Sequence, residues 1–367
     1  MKKQKIIHRE AIPPLNPCIQ QCRVKLSFCI PTYNRVACLK QLLDSILEQK
    51  PDPSQVEICI SDNASEDHTS VLVGEYQQQY PAIVYHRFLS NQGFDRNCLK
   101  AIDIAHGEYC WLMGSDDIVE PGAIRAVLDR LNQYPNLSGL SVNVKGYTPD
   151  LKKEIYVRQL FPLNVPDQLF CGSRQIFSAL VTQLGFMSAQ IVKKIFWQEV
   201  LAKESIEPFC TGYIHVFVIG RIILNHPTWL YLSKRCVGFR TENDLTLLRN
   251  RYRRLELDLT NYEKIAAVLL GAGTGEYRRW MSDICKVHIR SAVLGIKFHA
   301  SASDSAKAFW LCLRYCCFYP VFWLHVAPYF FMPACLLKGL RLINRSTIQR
   351  WRLSRLSNQS GGGRLWQ

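Results

Sequence analysis

The chain has 367 residues, with 45 Lys and Arg against 30 Asp and Glu and a formal net charge of +15. That length can bury a full core and host two or three domains. Its 15 cysteines fall at scattered spacings with no Cys-x-x-Cys pair, several of them inside apolar runs, which favours reduced buried thiols over a disulfide framework or a zinc site.

Met1–Arg9 is basic, but no apolar signal-peptide core follows, so the expected location of the active site is cytosolic. Cys18 and Cys22 have no second pair or nearby His to complete a metal hook. A first apolar strand is predicted at Leu26–Ile30, closed by Pro31 and followed by Thr32-Tyr33-Asn34-Arg35. Cys38, Leu39, Leu42, Leu43, Ile46 and Leu47 then recur at helical spacing. A second strand, Val56–Ile60, ends at Ser61-Asp62-Asn63-Ala64-Ser65-Glu66-Asp67, where Ser65 is placed to cap a helix through Ser70, Val71 and Tyr76. A third strand over Ile83–Phe88 precedes Asn91-Gln92-Gly93-Phe94-Asp95-Arg96-Asn97, and a helix is predicted from Asn97 to Ala105. The fourth strand, Tyr109–Met113, runs into Gly114-Ser115-Asp116-Asp117.

Strands alternating with helices imply a mainly parallel sheet, whose ligands bind at the carboxyl ends of the strands. All four polar clusters fall at such ends. Two adjacent carboxylates there can bind a divalent cation, which in turn holds a diphosphate, while the first can turn toward a ribose. Each cluster alone has a plainer reading. Tyr33 can be a packed aromatic, Asp62-Asn63 a turn pair, and Asp95-Arg96 an exposed charge pair. Occurrence in order at successive strand ends favours the site reading for the main set; Asp95 and Arg96 are still read as a surface pair.

Cys29-Ile30-Pro31-Thr32-Tyr33-Asn34-Arg35, Ser61-Asp62-Asn63-Ala64-Ser65, Asn91-Gln92-Gly93 and Gly107-Glu108-Tyr109 leading to Ser115-Asp116-Asp117 together resemble the ordered motifs of family 2 glycosyltransferases. Asn91-x-Gly93-x-x-x-Asn97 with the acidic pair is most similar to the abequosyltransferase-like subgroup. The resemblance is specific over Lys25 to about Leu131 and weaker to about Arg240. It implies a GT-A fold, α/β and Rossmann-like with a mainly parallel sheet, over residues 25–240: a nucleotide-binding half at 25–131 and an acceptor half at 132–240. It also implies site roles. Pro31 and Tyr33 would floor a base pocket, with the ring available for stacking. Asp62 would accept a base N–H, and Asn91 and Gly93 would line the pocket. Asp116 would face the ribose, near enough to share the metal, and Asp117 would bind Mg²⁺ or Mn²⁺.

Family members often supply an acidic catalytic base just before or within a helix of the second half. Ile206 to Val216 is the corresponding stretch, and the usual Glu-Asp pair is absent from it. His215 and Glu207 are the two candidates for the base, and the departure leaves retention or inversion open. The implied reaction moves a hexose or deoxyhexose from a nucleoside-diphosphate sugar to a hydroxyl of a lipid-linked surface glycan. Two other classes compete. A sugar nucleotidyltransferase would carry a Gly-rich loop where this chain has Pro31-Thr32-Tyr33-Asn34. A non-catalytic glycan- or membrane-binding scaffold is encouraged by the missing acidic pair.

Charge is uneven. From Leu245 to Gln367 there are 19 Lys and Arg against 6 Asp and Glu, leaving 26 against 24 before it. Ile265–Gly275 mimics a strand and dinucleotide turn, but the apolar pattern continues a helix from Leu255 that should stop at Gly271. Beyond a helical linker region at 241–304, residues 305–357 are read as basic aromatic helices. Tyr315–Leu337 carries no Lys, Arg, Asp or Glu over 23 residues, a length that can span a bilayer. Pro320, Pro328 and Pro333 would break such a helix. With the basic amphipathic stretch Lys338–Leu356 behind it, an interfacial or re-entrant anchor on an anionic membrane surface is favoured. A helical subdomain packed on the core and a true span are the alternatives. The location expected is peripheral, on the inner face of the cell membrane. Nucleic acid is not the expected partner, because no recognisable binding motif accompanies the charge. Residues 1–24 read as an N-terminal extension and 358–367 as a flexible tail; nothing in the sequence sets the oligomeric state.

Overall fold

The computed structural model describes residues 24–155, 165–241, 250–337 and 339. The first half follows the predicted alternation: β1 (Leu26–Thr32), α1 (Val36–Leu47), β2 (Val56–Asp62), α2 (Thr69–Gln79), β3 (Ile83–Arg87), α3 (Phe94–Asp103) and β4 (Tyr109–Leu112). Register pairs Thr32 with Asp62, Asp62 with Arg87 and Cys29 with Leu112, all in parallel. The C-terminal ends of β3, β2, β1 and β4 therefore share one edge.

The second half contains β5 (Ile118–Val119), α4 (Ala123–Gln133), β6 (Gly139–Tyr147), β7 (Glu154–Ile155), β8 (Gln168–Cys171), α5 (Ser173–Leu180), β9 (Gln190–Lys193), α6 (Lys194–Lys203), α7 (Ile214–Asn225) and β10 (Thr228–Arg240). The strand order is β3-β2-β1-β4-β9-β6-β10-β5. β6 and β10 are parallel, but β9 runs antiparallel to both β4 and β6. The sheet is thus mixed where a mainly parallel one was expected. The cause is where β9 starts. Met187 and Ser188 bring the chain to the carboxyl edge beside Gly114, so the strand that follows can only run back.

Strand periodicity sorts the side chains into two cores. Leu26, Phe28 and Ile30 face α1, α2 and α4, where Leu39, Leu42, Leu43 and Ile46 are fully buried, each contributing about 1.5–3 kcal/mol relative to exposure. Cys29, Cys59 and Cys110 face the other way, as free buried thiols, toward α3, α5, α6 and α7.

That second core continues into α8 (Arg251–Leu270), α9 (Gly275–Ile284), a π turn at Cys285–Ile289, α10 (Arg290–His299), α11 (Ala302–Cys316), α12 (Pro320–His325) and α13 (Ala327–Phe331). α8 ends before Gly271, as expected. Pro320 and Pro328 sit in the first turns of α12 and α13, where a missing N–H costs nothing. Among the described residues no helix is long and apolar enough to cross a membrane, and Tyr315–Leu337 is divided among several short helices. Cys316, Tyr319, Phe322 and Val326 are buried against the same core as Phe177 and Trp280, so the inner side of this segment is packed protein. Residues 1–23 with Cys18 and Cys22, the basic stretch from Lys338 apart from Gly339, and the tail lie outside the described residues.

Candidate active site

A cleft of about 580 Å³ opens at the carboxyl edge of β1 and β4, lined by Pro31, Tyr33, Asn91, Asp116, Asp117 and His215 among others. Tyr33 is partly exposed in its wall, its ring available to a flat ligand.

Asn63 organises the opposite wall. Its Nδ2 donates to Asn91 Oδ1 at 2.8 Å and to the Gly93 carbonyl at 3.2 Å, while its Oδ1 accepts the Gln92 N–H at 2.7 Å. Gly93 adopts φ +84°, a conformation that a side chain would strain. It starts α3 three residues earlier than the sequence pattern suggested. Ser65 does not cap α2. Its hydroxyl accepts the Asn34 N–H at 2.9 Å instead, tying the two loops together, and Asp67 accepts the Thr69 N–H at the helix start.

Asp62 stands at the end of β2 but does not line the cleft. Its side chain is fully buried, accepting the Ser65 N–H at 2.8 Å and the Tyr85 hydroxyl at 2.7 Å, with Arg87 3.7 Å away. It shapes the Asn63–Ser65 turn from behind.

Asp116 and Asp117 do converge. A Cβ on Gly114 would lie 3.1 Å from Asp116 Oδ1, 3.2 Å from Asp117 Oδ2 and 3.3 Å from Ser188 Oγ. Glycine is what lets two carboxylates and a hydroxyl share that space. Burial, and then the charge of Asp116, push the Asp117 carboxyl well above the usual carboxylate range; the Ser188 hydrogen bond, Arg240 and Arg35 act in the opposite direction. Arg35 pairs with Asp116, and Arg240 Nε donates to the Asp116 carbonyl at 2.7 Å. A buried carboxylate raised by a neighbouring carboxylate is an oxygen-donor set suited to a hard divalent cation. Among the described residues no group of three or more His, Cys, Asp and Glu gathers as a complete metal cluster. A cation here would need ligands from a bound molecule.

The acceptor side of the cleft is built on the turn Thr211-Gly212-Tyr213 and the start of α7. His215 lines the cleft and is buried; its Nε2 lies 3.2 Å from the Gly185 carbonyl. That contact places the proton on Nε2 and leaves Nδ1 an acceptor with no protein partner among the described residues. Burial, followed by the charge of Arg254, outweighs the Gly185 hydrogen bond and lowers its pKa to about 4, so the ring is neutral at pH 7. Glu207 does not join the site. It lies on an exposed 3₁₀ turn, 3.3 Å from Arg96.

Sequence reasoning placed Asp95 beside Arg96 on the surface, and the structure corrects this. Asp95 is buried, its carboxylate accepting the Gly212 N–H at 2.6 Å and the Ile214 N–H at 3.2 Å. It had no partner visible locally, since those N–H groups lie more than a hundred residues away. The turn is fixed from the other side by α8. Asp258 accepts from the Tyr213 hydroxyl, Arg254 donates to that hydroxyl at 3.0 Å, and Asn261 Nδ2 donates to the Thr211 carbonyl at 3.2 Å. Arg254 and Leu257 themselves line the cleft. The helical part beyond Arg240 is thus a wall of the site, which nothing in its sequence pattern announced.

A three-layer α/β body with a paired-carboxylate cleft at the carboxyl edge defines a GT-A-like fold. Residues 27–177 match the family described as glycosyl transferase family 2. The abequosyltransferase RfbV of Salmonella typhimurium is 33% identical over 258 residues, covering 66% of this chain and 74% of that protein. A GalNAc(5)-diNAcBac-PP-undecaprenol beta-1,3-glucosyltransferase of Campylobacter jejuni is 33% identical over 119 residues, 31% of this chain and 37% of that one. Among solved structures, the mannosyltransferase PcManGT of Pyrobaculum calidifontis, in complex with GDP-Man and Mn²⁺, aligns with a TM-score of 0.51 at 16% identity, covering 87% of each chain. The chain belongs to the family 2 glycosyltransferases, and an abequosyltransferase is among the members it resembles. It is a glycosyltransferase enzyme, which sets aside the scaffold and nucleotidyltransferase alternatives.

Proposed function

We propose that this glycosyltransferase moves a hexose or deoxyhexose from a nucleoside-diphosphate sugar to a hydroxyl of a lipid-linked surface glycan, such as an O-antigen, capsule or exopolysaccharide repeat, at the cytoplasmic face of the cell membrane. The observation that carries the donor half is that the Asp116–Asp117 pair opens into the same cleft as Tyr33 and Asn91. The acceptor half is supported by the kinship with an abequosyltransferase and with an enzyme named for a PP-undecaprenol glycan.

In this reading the nucleobase stacks on Tyr33 over Pro31, with Asn91 at its edge and Gly93 giving the backbone room. Asp62 supports that wall; its carboxylate has lone pairs to spare but is fully buried behind the turn, so a base N–H would reach it only if the turn moved. Asp117, with Asp116 beside it, would hold Mg²⁺ or Mn²⁺, and such an ion neutralises charge growing on the leaving diphosphate. Asp116 faces the ribose, its position set by Arg35 and Arg240. On the acceptor side, Tyr213 and Leu257 bound the space for the sugar hydroxyl, and His215 Nδ1 takes its proton. Glu207 is too far out on the surface to compete for that role.

A thermal-shift panel of nucleoside-diphosphate sugars with Mn²⁺ tests the donor half. A shift with one donor, absent for the free sugar, is expected; no shift across the panel contradicts the reading.

A further inference from the structure

We propose that the outer face of α11, the following turn, α12 and α13 is a docking surface for anionic phospholipid, with Trp310, Phe318, Trp323, Leu324 and Phe331 entering the headgroup region. This deepens the functional reading, on which it rests only for why a membrane would be useful. The face is built as the reverse of a packed one. On α11, Ala308, Cys312 and Cys316 form the inner stripe, fully buried, while Lys307, Trp310 and Arg314 occupy the outer stripe at helical spacing and run on to Phe318. Trp310 is 69% exposed, Phe318 84%, Leu324 71% and Phe331 70%, whereas large apolar groups exposed singly are the norm elsewhere.

These side chains are held in place. Phe309 packs edge-on against Phe330 at 5.2 Å and Phe331 at 5.4 Å, fixing α13 beside α11. Trp323 Nε1 donates to the Cys317 carbonyl at 2.8 Å, fixing α12 against the turn that carries Phe318. Aromatic rings alternating with basic residues suit the boundary between headgroups and acyl chains.

Charge decides the occupant. On this face Arg314 stands with Lys307, which lies 3.7 Å from Asp304, and the sequence that follows, Lys338 to Gln367, adds seven Lys or Arg and no Asp or Glu. Two copies of the chain would each carry this basic C-terminal sequence and repel one another, whereas an anionic bilayer is complementary to it. Membrane attachment is then monotopic, in agreement with the lack of a spanning helix among the described residues.

The test is flotation of the full chain with vesicles of phosphatidylcholine alone or with phosphatidylglycerol added, plus sedimentation in solution. The wild type should float with the anionic vesicles and much less with the neutral ones, and high salt should weaken the attachment. Brominated lipid should quench its tryptophan fluorescence. The exposed-site variant Trp310→Ser/Phe318→Ser/Leu324→Ser should lower vesicle partition by about tenfold or more with an unchanged melting temperature. A wild type that ignores anionic vesicles, a triple variant that floats like the wild type, or a dimer that the variant splits would each overturn the proposal. Nucleoside-diphosphate release without vesicles reads out the transferase separately, so failure of one reading is distinguishable from failure of the other.

Discussion

The Asp95 carboxylate accepts the Gly212 N–H at 2.6 Å, joining the helix that follows the nucleotide-side loop to the turn that forms the acceptor side. One buried residue thereby ties the two sides of the cleft together. Asp95→Ala leaves the Gly212 and Ile214 N–H groups without their acceptor, a loss of about 2–4 kcal/mol. Asp95→Asn keeps one acceptor oxygen and should fall between. Chemical denaturation measures both, and an alanine variant as stable as the wild type would contradict the role.

His215 should make stability depend on pH in a defined window. Its native pKa, about 4, lies below the ordinary histidine value of 6.5. Between those values the unfolded chain binds the proton and the native chain does not, so stability is full above pH 6.5 and falls as pH drops toward 4. The contribution lost is about 3 kcal/mol. His215→Gln should flatten that part of the profile. Buried His288, also lowered, leaves a residual slope. An unchanged profile would place the ring in a more solvated setting than the structure shows.

Asp117→Asn should not destabilise the metal-free protein, because it removes a buried charge beside Asp116. The same variant should lose any rise in melting temperature that the wild type shows with Mn²⁺. A variant that unfolds readily, or that keeps the full Mn²⁺ response, contradicts the assignment.

Truncation after Ser305 should destabilise the enzyme, not merely detach it. Ala308, Cys312, Phe322 and Val326 bury their side chains in the core shared with α8 and α9, and their removal exposes that core. Loss of cooperative melting is the expected result. A truncated chain that melts like the wild type would mark α11–α13 as a separate appendage.

The first four strands, the loops at their ends and the acidic pair were legible because each rests on local chemistry: apolar alternation, a proline or glycine stop, adjacent carboxylates. The direction of β9, the burial of Asp95 and the wall formed by Arg254 and Leu257 were not. Each depends on a partner far away in the chain, and no local pattern encodes such a meeting. Asp62 shows the same limit from the other side. Its turn chemistry was readable, but that Tyr85 and Ser65 take both its oxygens was not. At the C-terminal end the proline breaks were predictable, while the division of one helix into a packed stripe and an exposed one required the fold.

The most direct test of the central claim is nucleoside-diphosphate release from a panel of nucleotide-sugars with Mn²⁺, comparing the wild type with Asp117→Asn. Metal-dependent release from at least one donor is expected of the wild type, and its loss in the variant. Equal release by both proteins would contradict the claim.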